Sequence, residues 1–216
     1  MSTMDMWKIC FFTTMLLVFL NLGLFALNNT LAWTILGLIF LLGALYLSYR
    51  QGMGFGHEAC RLLSTIRSTE ASAGSAHSPV DEKVARRAWS VNRGLKAVLA
   101  TALAPYLIGC AYIVLSLLKV DSLAVPMRLV SWVVASPYWP VILPWTHTFD
   151  RLTGAVAAVL MISPFVMPLC VFAGYMQGPK LWARSEKAMA EGRRRAKAKS
   201  RVVRKKRVPR SQKPEI

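Results

Sequence analysis

Acidic residues are scarce in this sequence, cysteines are never paired in spacing, and the long apolar runs hold almost no ionisable side chain. Ten Asp and Glu stand against 27 Lys and Arg in 216 residues, so the formal net charge is +17. Cys10, Cys60, Cys110 and Cys170 fall one to each apolar or flanking region, which excludes a disulfide framework and a Cys-x-x-Cys motif and leaves four free thiols. The runs 9–27, 31–49 and 152–177 contain no Asp, Glu, Lys, Arg or His, and the run 95–118 has only Lys96, at its edge. Proton relays and many ion-coupled transporters are built from such groups, so coupled transport by a monomer is disfavoured. No nucleophile elbow or intramembrane protease constellation is present, and His147, Asp150 and Arg151 make too thin a set for hydrolysis. The sequence reads as non-enzymatic and without a cofactor.

What is present is hydrophobic and clustered. Apolar and aromatic residues make up 55% of the chain, gathered in blocks of membrane-spanning length. Trp7 and Lys8 precede a first span at about 9–27. Asn28, Asn29 and Thr30 form a polar turn, and a second span follows at about 31–49, closed by Tyr49 and Arg50. So short a connection makes the two an antiparallel hairpin. The Asn28 sequon lies against the membrane surface and is read as a chance match.

Residues 51–94 read as a cytoplasmic linker with amphipathic helices. Gly52, Gly54 and Gly56 suggest a flexible exit from the second span, then a short helix over Glu58–Arg67. His57 and Cys60 share a helical face, but two ligands do not make a zinc site. Ser68–His77 is small and polar, a loop. Ser78 as N-cap and Pro79 at the first helical position restart a helix whose Val80, Val84, Ala88, Val91 and Leu95 share a face, running on into a third span at about 95–118.

The stretch 119–151 is apolar enough to span, with Arg128 as the one charge between Leu123 and Trp145, yet Pro126, Pro137, Pro140 and Pro144 oppose a continuous helix. Charge decides the reading. Arg50, Arg61, Arg67, Lys83, Arg86, Arg87, Arg93 and Lys96 place the linker in the cytoplasm, and only four spans put the basic C-terminal tail there too. The stretch 119–151 is therefore expected as an outer, Pro/Trp-rich interfacial segment, and the fourth span at about 152–177.

From Lys180 onward fifteen basic residues meet three acidic ones, a net +12 of the chain's +17. Leu181, Trp182, Ser185 and Met189 share a helical face expected to lie on the inner surface. Beyond Gly192, the segment from Arg193 to Arg210 reads as disordered until it meets a polyanion. The candidate binding residues for anionic lipid are Arg193, Arg194, Arg195, Lys197, Lys199, Arg201, Arg204, Lys205, Lys206 and Arg207.

The fold expected is thus an all-α integral membrane protein of four transmembrane helices in two hairpins (1–50 and 95–177), with the linker 51–94 and the polybasic tail 178–216. The function expected is a subunit or scaffold in the plasma membrane with both termini cytoplasmic, held to anionic membrane lipids by its tail and assembling with other membrane subunits or itself. Two alternatives stand beside it: an oligomeric pore or transport component, and a tether for nucleic acid or ribosomes. The tail has no aromatic residue beyond Trp182, which argues against base stacking but leaves phosphate contacts open.

Overall fold

The computed structural model describes residues 3–25, 30–72, 88–142 and 154–207. Nearly all of them are helical: α1 (Thr3–Phe25), α2 (Thr30–Ser72), α3 (Val91–Leu117), α4 (Asp121–Ala135), a 3-10 turn (Ser136–Tyr138), α5 (Trp139–Ile142), α6 (Gly154–Met176) and α7 (Gly178–Arg207). Four segments, in α1, α2, α3 and the α6–α7 run, are long and apolar enough to cross a membrane. Their outward faces are hydrophobic. Phe12, Phe19, Leu31, Leu42 and Leu117 are all more than 60% exposed, as befits side chains meeting acyl chains.

Side-chain contacts give the helix directions. On α2 and α6, Ser48 meets Met167, Gly52 faces Val171 and Gly56 faces Tyr175, so the numbers rise together and the helices run parallel. On α3 and α6, Gly94 meets Phe172, Tyr106 meets Phe165 and Cys110 meets Met161, so these two run antiparallel. Asn21 and Gly37 approach near the α1–α2 connection, closing the hairpin. Parallel α2 and α6 require an odd number of crossings from one to the next in sequence. A fifth span between α3 and α6 would have reversed α6.

Three departures from the sequence reading have physical causes. First, α2 is one unbroken helix through Gly52, Gly54 and Gly56, with neither a flexible exit nor a separate helix at 58–67. Second, residues 88–90 are not helical. Ser90 is extended (φ −158°, ψ 129°) and α3 begins at Val91, so no helix runs unbroken from Pro79 into the third span. Third, the described part of the stretch after α3 is packed into the bundle on one face, more deeply than a segment resting on a surface would be. α4 folds back along α3, and Ser131, Ala135, Ser136, Pro137, Tyr138 and Pro140 are buried. Asn21 Nδ2 donates to the Ser136 carbonyl at 2.9 Å, and the Pro140 ring lies against Gly37, where a Cβ would collide with it. Tyr138 lines a cavity with Thr14 and Met167, near the middle of α1 and α6. The element is a helix–turn–helix wedge driven into the bundle. The polar turn at 28–29, the linker segment 73–87, residues 143–153 with Trp145 and His147, and the last residues of the tail lie outside the described residues.

A tight turn aims the wedge. Leu118 caps α3, Lys119 adopts a left-handed φ of 56°, its N–H bonds Ser116 O at 3.3 Å, and Val120 N–H bonds Leu115 O at 3.2 Å. This paired closure normally carries glycine at the left-handed position, because a Cβ is strained there. Replacing Lys119 with Gly is therefore expected to stabilise the fold by about 1 kcal/mol in equilibrium unfolding. No change, or a loss, would contradict that geometry.

Candidate functional site

The site is built where α2 and α6 cross and their extensions part. Gly52 and Gly56 lie one turn apart on α2, and Gly174 and Gly178 one turn apart at the end of α6 and start of α7. They face each other. A Cβ on Gly52 would overlap the Val171 carbonyl oxygen, one on Gly56 the Tyr175 carbonyl oxygen, and one on Gly174 the Tyr49 carbonyl oxygen. A Cβ on Gly178 would overlap the backbone of Gly56. Two small-x-x-x-small faces in direct backbone contact pack helices without help from water, the condition inside a bilayer. Gly54 points away and has open space around its Cβ position, so the period that matters is four residues, not two.

Tyr175 knits the third helix into this crossing. It is buried at 1% exposure, and its hydroxyl oxygen accepts the Ser90 N–H at 3.0 Å. Its ring stacks with Trp89 at 6.2 Å, while Trp89 N–H bonds the Ala59 carbonyl at 3.2 Å. These contacts hold the extended backbone at Ser90 from which α3 starts. Gly94 makes room for the Phe172 ring, 2.7 Å from where its Cβ would be.

Past the crossing, α2 and α7 continue side by side. The His57 Nε2 and Ser185 Oγ are 3.2 Å apart, and the His57 and Trp182 rings are 5.4 Å apart. Leu181, Trp182 and Ser185, expected on the inner membrane surface, are half-buried, with Trp182 and Ser185 turned towards α2. His57 and Cys60 are not used together. Cys60 is buried. Among the described residues no three His, Cys, Asp or Glu gather as a metal site would require.

Of the candidate binding residues, Arg193, Arg194, Arg195 and Lys197 are exposed on α7. Lys199, Arg201, Arg204, Lys205, Lys206 and Arg207 continue the same helix, whose last turn ends at Arg207. The expectation of disorder beyond Gly192 is corrected: the helix passes through it. Ala, Arg, Lys and Glu are strong helix formers, Glu191 and Arg195 have the favourable i, i+4 order, and α7 extends from α6 with only Gln177 intervening, so little nucleation cost remains. The Gly52/Gly56 and Gly174/Gly178 pairs were legible as spacing and were missed because the nearer repeat, Gly-x-Gly-x-Gly, drew the reading towards a hinge.

No family model, curated protein or solved structure matches the chain. The functional reading therefore rests on the residues themselves.

Proposed function

We propose that this is a small non-enzymatic scaffold of the plasma membrane, multi-pass, with both termini in the cytoplasm, whose α7 arm binds anionic lipid. The observation that carries the reading is a helix crowded with exposed cations whose first residue is locked, through Gly178 against Gly56, beside the last part of a span. Lys and Arg close to anionic headgroups contribute on the order of 1 kcal/mol each. Cytoplasmic orientation follows from the side on which the basic residues of α2, α3 and α7 collect. The linker 51–94 belongs to that side in this reading, and the wedge enters the bundle from the outer side. Other membrane subunits, or a second copy, would meet the exposed apolar faces.

Helicity changes how the arm must work. At 1.5 Å per residue, Arg193 lies about 22 Å along α7 from Gly178, well beyond the Debye length of about 8 Å at physiological salt. An upright arm would leave its distal cations out of reach of the headgroups, so lipid binding requires the arm to lie down beyond Ser185, where its contact with His57 ends. A fluorophore at Ala198→Cys, with the native cysteines replaced, reports this in nanodiscs containing a lipid-bound quencher. Quenching in anionic discs that fades as salt rises is expected. Equal quenching in neutral discs, or none in either, would overturn the lipid reading, and the second result would turn attention to a soluble polyanion such as nucleic acid.

A further inference from the structure

Proline chemistry and the wedge together create a feature that the cationic arm does not use. A cavity of about 220 Å³ lies near the middle of the bundle between α1, α3, α6 and the wedge. Its size exceeds the roughly 150 Å³ of an engineered apolar cavity that holds benzene. Its walls are mainly apolar, with Met15, Val134 and Met167 among them. Trp7 and Phe11 on α1 and Val133 on α4 also line it and are themselves exposed on the perimeter, so the cavity opens to the acyl-chain region rather than to water.

Its side-chain polar groups include those of Cys10, Thr14, Thr101, Tyr138 and Ser163, and two of them are unsatisfied. Thr101 and Ser163 both line the cavity, are more than nine-tenths buried, and their hydroxyls have no hydrogen-bond partner among the described residues. Two prolines on the same walls add to this. Pro105 has no N–H for the carbonyl of Thr101, and Pro168 has none for the carbonyl of Pro164. Thr101 and Pro164 line the cavity as well. Carbonyls only accept, and hydroxyls both donate and accept, so acceptors outnumber donors. A buried surplus of acceptors takes a donor. Among the described residues no Lys, Arg, Asp, Glu or His lines the cavity, and a charged donor would be buried there without a counter-charge.

We propose that this cavity binds an uncharged, membrane-dissolved molecule with a free hydroxyl, of the class of long-chain alcohols and diacylglycerols. The apolar chain fills the volume and passes out between Trp7, Phe11 and Val133, while the hydroxyl donates to the proline-freed acceptors. Pockets with an apolar body and a few convergent polar groups recognise their ligands in this way. The proposal is independent of the tail.

The test uses the full-length protein in nanodiscs and two diazirine probes of equal chain length, one a primary alcohol and the other the matching alkane. Saturable photolabelling of peptides from α3 and α6 by the alcohol is expected, competed by unlabelled alcohol and not by alkane. Thr101→Val removes a hydroxyl at constant shape, Ser163→Ala removes the other, and Pro168→Ala restores an N–H that occupies the Pro164 carbonyl. Each is expected to weaken alcohol labelling about three- to tenfold, the range of one hydrogen bond, without weakening any alkane labelling. Gel filtration and thermal unfolding of each variant confirm that the bundle is intact. Equal labelling by the alkane, or no saturable labelling because water alone occupies the cavity, would overturn the proposal. So would full alcohol labelling in all three variants.

Discussion

Gly52→Leu and Gly174→Leu are each expected to destabilise the bundle severely, and Gly54→Ala to leave it unchanged or slightly more stable. At Gly52 and Gly174 even a Cβ would overlap a carbonyl oxygen of the facing helix, so α2 and α6 must separate along their whole crossing to admit a side chain. Overpacking of a close interface costs about 1–3 kcal/mol for modest enlargements, and a leucine against backbone belongs at or above the upper end. The contacts that depend on this separation include Ser48 with Met167 and the close fit of Gly56 to Tyr175. At Gly54 nothing lies within 4 Å of the Cβ position, and Ala in a helix interior is favoured over Gly by up to about 1 kcal/mol. Opposite signs two residues apart on one helix would be hard to obtain from any effect on hydrophobicity or insertion. Thermal unfolding in detergent measures all three. Similar losses at Gly52 and Gly54 would mean that the crossing is not where α2 and α6 are held.

Neutralising the arm is expected to have the second large effect. Changing Arg193, Arg194, Arg195 and Lys197 to Gln removes four exposed cations from α7. At about 1 kcal/mol each near an anionic surface, the arm's preference for the membrane would fall by about 4 kcal/mol, roughly a thousandfold in the lying-to-upright ratio. Gln keeps helix propensity close to that of Arg and Lys, so helicity measured by circular dichroism should be retained. The Ala198→Cys reporter should then show little quenching in anionic discs even at low salt. Unchanged quenching in the variant would show that the arm is placed by its helix direction and not by charge.

The four long apolar helices were open to reading because lipid imposes one simple rule, that the backbone be internally bonded and the outside apolar, and long uncharged runs record it directly. The spans expected at 9–27, 31–49, 95–118 and 152–177 correspond to α1, the first part of α2, α3 and α6. Depth and partner choice were not open in the same way. The stretch from Leu123 to Trp145 has a composition that suits an interface, a span or a wedge equally well, and its place is set by the turn at Lys119 and by small sites at Gly37 and Asn21 far away in sequence. Prolines there read as helix breakers, yet Pro126 lies inside α4, while Pro137 lies in the first turn of a 3-10 helix and Pro140 near the start of α5, where Pro is tolerated. The tail was misread for a different reason: its charge was weighed without the helix that already feeds into it from α6. The candidate cations themselves are visible in the sequence, because clustered charge needs no fold to be seen; the geometry that carries them, fixed by four glycines, appears only when two segments about 120 residues apart are brought together.

The central claim is that α2 and α6 run parallel and cross at their glycines, so that the arms beyond them emerge on one side in register. Cross-linking in a version with the native cysteines replaced tests it directly. His57→Cys and Ser185→Cys should be joined rapidly by a short bifunctional thiol reagent in native membranes, since the side chains they replace approach to 3.2 Å. His57→Cys paired with Gly154→Cys, at the opposite end of α6, should not be joined at all. Cross-linking of 57 to 154 in place of 57 to 185 would mean that α6 runs antiparallel to α2, that residues 121–142 cross the membrane after all, and that the two basic arms lie on opposite sides.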